Sequence, residues 1–84
     1  MKYITALTFR QKCDHLRKDL RSIRFNMDLL RMLRNIEEMV TELGKLEVQC
    51  RHHTKTYQLE KPSEKIAQSI DHLEKLILMA KLMD

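Results

Sequence analysis

Arg24-Phe25-Asn26-Met27-Asp28-Leu29-Leu30 is the stretch on which the fold turns. Leading into and through it, apolar residues recur at Cys13, Leu16, Leu20, Ile23, Met27 and Leu30, in steps of three and four that line one face of a helix. After it, a second stripe starts at Leu29 and continues through Leu33, Ile36, Val40 and Leu43. The two stripes overlap one residue out of phase, and one residue on a helix is about 100° of rotation. A single straight helix cannot turn both stripes toward the same neighbour. Either it overwinds or changes partners at Leu29-Leu30, or the backbone breaks near Asn26.

Little else punctuates the chain. Gly44 and Pro62 are its single glycine and single proline among 84 residues, and these are the residue types that most readily interrupt regular structure. The expectation is a helix over about 8–50, capped at its start by Thr8 with Gln11 reaching back. The alternative is an interruption near 26, or near 44, where glycine suits a helix C-terminus. Residues 45–57 read as a less regular continuation, 58–62 as a loop, and Pro62-Ser63-Glu64 as the start of a second helix over 63–83. That helix carries Ile66, Ile70, Leu73, Ile77 and Ala80 on one face, and Leu76-Ile77-Leu78-Met79-Ala80 with Leu82-Met83 is apolar all round.

The fold class is therefore all-α: one small domain in which a long helix and a shorter C-terminal helix form a helical hairpin or coiled-coil-like bundle. At 1.5 Å per residue the first helix is about 65 Å long and the second about 32 Å. The shorter covers only half of the longer, so self-association is expected to bury the rest. A break near residue 26 gives the alternative, a compact three-helix bundle that needs no second chain.

Composition narrows the function classes. Residues 1–34 carry nine Lys or Arg against three Asp, whereas 35–84 carry seven basic against nine acidic side chains. The asymmetry favours contact with an acidic partner, or of one half of the chain with the other half of a second copy. No apolar run approaches the roughly 18–20 residues of a membrane span. Met1 to Leu7 lacks the apolar core of a secretory signal. Two cysteines are too few for a disulfide framework, so a reduced, cytoplasmic protein is expected.

The residues that could carry chemistry are sparse. Cys50-Arg51-His52-His53 and Cys13-Asp14-His15 invite a zinc reading. Cys13 and His15, however, are two apart on a helix and diverge, so a four-ligand set does not assemble. The same pairs lack the orienting group and backbone amides of a nucleophilic site. Glu37-Glu38 reads as an exposed face, and no phosphate loop is present. Ala67-Gln68-Ser69-Ile70-Asp71 resembles, at Gln68 and Asp71 over five residues, the S-Q-E-L-D signature of small sporulation phosphatases that dock on response regulators. Asp71 itself reads as a surface aspartate. Neither enzyme activity nor a cofactor or metal is expected.

Binding is the stronger signal. Arg10, Arg17, Arg21, Arg24 and Arg31 step by 7, 4, 3 and 7 along one face, a strip suited to phosphate or carboxylate. Its bland reading is a solvated face stitched by the i,i+4 pairs Arg10–Asp14, Asp14–Lys18 and Arg24–Asp28, each worth about 0.3–0.5 kcal/mol. Of the methionines, Met27 reads as core, and Met79 and Met83 as adaptable partner contacts. The sequence thus points to a non-enzymatic protein–protein interaction module, an adaptor, co-chaperone or regulator, working as a homodimer or higher oligomer. Its interface would comprise Leu29, Leu33, Ile36, Val40, Leu76, Leu78, Met79 and Met83. The alternative is a basic helical dimer that regulates through nucleic acid.

Overall fold

The computed structural model describes residues 4–24, 26–50 and 57–83. They form three helices, α1 (Ala6–Arg21), α2 (Met27–Cys50) and α3 (Tyr57–Met83), and among the described residues there is no strand. The fold is all-α, and the chain breaks beside Asn26 rather than at Gly44.

The break needs neither glycine nor proline. Helix α1 ends because short polar side chains take over its last carbonyls. The Ser22 amide and hydroxyl both donate to the Asp19 carbonyl, at 3.2 and 2.8 Å. The Leu20 carbonyl accepts from the Ile23 amide at 3.2 Å and from the Asn26 side-chain amide. Asn26 then opens α2, its own carbonyl accepting from the Leu30 amide at 2.8 Å. One asparagine closes one helix and starts the next. Restarting the helix also resets its phase, which is why Met27, expected in the core, is 78% exposed.

At the other end of α1 the helix starts earlier than the expected Thr8. Thr5, in extended conformation (φ −75°, ψ 158°), accepts from the Thr8 amide at 3.3 Å and caps the first turn. From there Ala6, Phe9, Cys13, Leu16, Leu20 and Ile23 are buried as one continuous stripe.

Helix α2 runs straight through Gly44. A Cβ at that position would lie 3.7 Å from the Ala6 Cβ and 3.1 Å from the Arg10 guanidinium. Gly44 is thus where α1 approaches α2, not a helix end. Helix α3 also departs from the expectation: residues 58–62 are its first turns, not a loop, and Pro62 lies inside it. Proline there forfeits one amide bond to the Gln58 carbonyl, a cost of order 3 kcal/mol in a helix interior. Leu59, drawn into the core by that extra turn, offsets it by about 1.5–3 kcal/mol. The core face then reads Leu59, Ser63, Ile66, Ile70, Leu73 and Ile77, in alternating steps of four and three.

Ser63, expected to open α3, has a different task. Its hydroxyl accepts from the Ile4 amide at 2.8 Å and donates to the Ile4 carbonyl at 3.0 Å. Both capacities of a buried hydroxyl are satisfied at once, and the segment before α1 is fastened to α3.

Cross-links set the topology. The Ala6 amide donates to Glu47 at 3.1 Å, and Arg17 pairs with Glu37, so α1 and α2 are antiparallel. Lys12 pairs with Glu74 at 3.9 Å and Lys81 with Asp19 at 3.3 Å, so α1 and α3 run parallel. The result is an up-down-up rod of 48 × 20 × 16 Å. Helices of 24 and 27 residues are about 36 and 40 Å long, so the length mismatch of a continuous first helix disappears. Leu33, Ile36 and Val40, expected at an interface with a second chain, are buried by the chain's own α1 and α3.

Candidate interaction surface

The fold leaves Ile4, Leu7 and Val48 exposed at one end of the rod, but the larger uncovered apolar surface lies at the end of α3 and along its groove with α2. In the last two turns of α3 the core takes Ile77 and, partly, Ala80. Leu78, Met79, Leu82 and Met83 remain in solvent, the last two at 79% and 86% exposed, and Leu76 is half-buried. Because α1 and α3 are parallel and α2 opposes them, this end of the rod also carries the end of α1 and the start of α2. Exposed Met27 belongs to it, with half-buried Leu29 and Leu30 packed against the core. Arg21, Arg24, Arg31 and Arg34 are exposed at the same end. Apolar side chains crowded at one end of a small bundle are the pattern of a contact surface rather than of ordinary scattered exposure.

From that end a groove follows the α2–α3 seam. One section, about 320 Å³, is lined by Met32, Asn35, Met39 and His72 among others. The next, about 640 Å³, has Met39, Leu43, Leu46, Pro62 and Ile66 as its apolar floor. Its rims differ in charge: Glu38 and Glu42 stand on the α2 side and Lys65 on the α3 side. Met32, Met39 and Leu46 are seven residues apart, the spacing by which one helix face stays directed at a neighbour.

The arginine strip does not survive as a unit. Arg10, Arg17 and Arg21 lie on α1, Arg24 in the turn and Arg31 on the reversed α2, so the series is divided between antiparallel helices. Arg17 is engaged by Glu37, whose hydrogen bond and then charge raise the guanidinium pKa further above its ordinary value. That pairing also corrects the reading of Glu37-Glu38 as an exposed face, since Glu37 is half-buried between α1 and α2. None of the three expected i,i+4 pairs forms. Among the described residues Arg17, Lys12 and Lys81 each pair across helices instead. Asp71 is a surface aspartate, 3.1 Å from Lys75.

Cys13 is buried against α2, and desolvation above all, followed by the charge of Glu37, pushes its thiol pKa up to about 11. Such a thiol stays protonated and unreactive at neutral pH. Cys50 is buried at the end of α2, while His52 and His53 lie outside the described residues. Among the described residues no three His, Cys, Asp or Glu side chains gather into a metal-binding group, and no helix is long and apolar enough to cross a membrane.

The all-round apolar turns of α3 mark the C-terminal patch already in the sequence. The groove is marked there only by the heptad spacing of Met32, Met39 and Leu46 beside the core stripe, which periodicity alone does not separate from the core. Comparison with protein families, with curated proteins and with solved structures finds no match.

Proposed function

We propose that this chain is a non-enzymatic interaction module that offers the end of α3 to a protein partner. The observation that carries the reading is the exposure of Leu78, Met79, Leu82 and Met83 together, on a helix whose opposite face is fully packed. Burial of each such side chain is worth about 1.5–3 kcal/mol, and flexible methionines accommodate more than one shape of partner. Helix-in-groove or bundle-completing contact is the mode this geometry fits, with the neighbouring arginines setting orientation and association rate. Adaptor, co-chaperone and regulatory roles all use such a surface, and self-association is one way of covering it. A reducing, cytoplasmic setting belongs to the same reading.

Changing Leu78 and Leu82 together to Asp tests it. Both side chains point to solvent, so helicity and melting temperature should stay close to those of the wild type. Capture of the partner from cells of the source organism should be lost. An identical set of captured proteins for variant and wild type refutes the reading.

Nucleic-acid regulation is the second reading. It draws support from Arg21, Arg24, Arg31 and Arg34, which have no ion-pair partner among the described residues. Phe9, one of the few aromatic side chains, is buried and does not serve base stacking. Duplex binding that weakens steeply with salt would favour this second reading.

A further inference from the structure

We propose that the α2–α3 groove is occupied by the α2–α3 groove of a second copy, in a two-fold dimer whose axis runs along the rod. The proposal rests on the interaction-module reading and adds the occupant and its orientation. Three observations lead to it.

The groove has an apolar floor with heptad-spaced Met32, Met39 and Leu46 on α2 and with Pro62 on α3. Its section toward the open end mixes Met32, Ile36 and Met39 with Asn35, Gln68, Ser69 and His72, and beyond His72 the helix α3 carries half-buried Leu76 and exposed Met79 and Met83. The broad side of the rod, 48 × 20 Å, is large enough for the roughly 800 Å² per partner that a standard interface buries.

Charge then selects the occupant. Glu38 and Glu42 stand on one rim and Lys65 on the other, and beside Lys65 the α3 side carries Lys61 and Glu64. Among the described residues Glu38, Lys61 and Lys65 have no ion-pair partner, and Glu42 has only the exposed Lys45 one turn away, at 3.2 Å. Two copies face to face can be related in two ways. A two-fold axis across the rod sets α2 on α2 and α3 on α3, acidic rim on acidic rim and basic on basic. An axis along the rod sets α2 of each copy on α3 of the other. Glu42 of each copy then meets Lys65 of the other, twice over by symmetry, because both residues line the same section of the groove. A self-complementary patch of this kind is what a two-fold interface requires, and like charges meeting across the other arrangement disfavour it.

The test exploits that symmetry. Glu42→Lys sets the introduced lysine against the native Lys65 at both contacts of its own dimer. Lys65→Glu sets the introduced glutamate against the native Glu42 at both. Mixing the two variants restores opposite charge everywhere: the two introduced side chains meet at one contact, and native Glu42 meets native Lys65 at the other. Sedimentation equilibrium across a concentration range should show a wild-type dimer, and each variant alone weakened roughly 10-fold or more. Their equimolar mixture should return to the wild-type dissociation constant as a heterodimer. Both positions are exposed, and circular dichroism verifies that each variant is folded. A charge contact within one chain predicts no recovery on mixing. Absence of recovery therefore overturns the proposal, as do single variants that dimerise like the wild type. A wild type that remains monomeric up to about 1 mM, a very weak association limit, also overturns it and leaves the groove to a different protein. The Leu78 and Leu82 variant, read by partner capture, decides the parent reading separately.

Discussion

Cys13 shows how a single side chain can be read for presence but not for state. Its place on the α1 stripe follows from spacing alone. Its pKa of about 11 depends on the packing of α2 over it and on Glu37 nearby. The folded thiol holds its proton above the 9.0 of an ordinary cysteine. Below about pH 9 both folded and unfolded chains are protonated and the site is silent. Between pH 9 and 11 the unfolded chain loses the proton first, so stability falls as pH rises, by about 2 kcal/mol at pH 11. Urea unfolding of wild type and Cys13→Ala at pH 8 and pH 11 should show that the wild type loses this much more than the variant. Equal losses would mean that the thiol is not held protonated by the fold. Ser63 carries the same lesson. A serine after a proline reads locally as a helix cap, and nothing local reports that Ile4, fifty-nine positions away, supplies both of its partners.

At the scale of elements, helices were legible and their ends were not. The apolar phase slip marked the break near Asn26, because a stripe must face its neighbour. It did not reveal which residues would close α1, since the Ser22 and Asn26 side-chain bonds form only once the chain has turned. Gly44 and Pro62 misled for a related reason. Their intrinsic costs, about 1 kcal/mol for glycine and about 3 for proline in a helix, are of the size that tertiary packing offsets. Gly44 permits the α1–α2 approach, and that gives a two-way expectation. Gly44→Ala needs only a small shift of the exposed Arg10 side chain and improves helix propensity, so it should stabilise by up to about 1 kcal/mol. Gly44→Leu would drive its side chain into Ala6 and should destabilise by about 1–3 kcal/mol. Thermal melts of the two variants should move in opposite directions, and a lower melting temperature for the alanine variant would contradict the account.

For the whole molecule, the break converts an uncovered long helix into a shorter α1 and an α2 that matches α3 in length. The stripe of Leu33, Ile36, Val40 and Leu43 then closes inside one chain. A domain of this length is stabilised by only about 4–13 kcal/mol. Leu33→Ala should therefore cost about 2–5 kcal/mol and bring the chain close to unfolding. Leu82→Ala should change stability by no more than about 0.5 kcal/mol. A matching loss in both, measured by urea unfolding, would show that the end of α3 is part of the folding core rather than a free surface. The contrast also explains the partial legibility of the contact surface. Leu78, Met79 and Met83 could be picked out because no single face of a helix can hide a run of consecutive apolar residues. Leu33, Ile36 and Val40 could not be told from them by sequence, because a core stripe and an interface stripe have the same spacing.

Periodicity and the scarcity of breakers were enough to determine an all-α chain, its core-forming stripes and the excess of apolar surface at its C-terminus. Hydrophobic spacing is a local property, and a helix records it in every turn. Which stripe is covered from within, which residue ends each helix, and where opposite charges stand across a groove were decided only in three dimensions. Those outcomes depend on contacts between residues distant in the chain, and no spacing along one helix encodes the position of another.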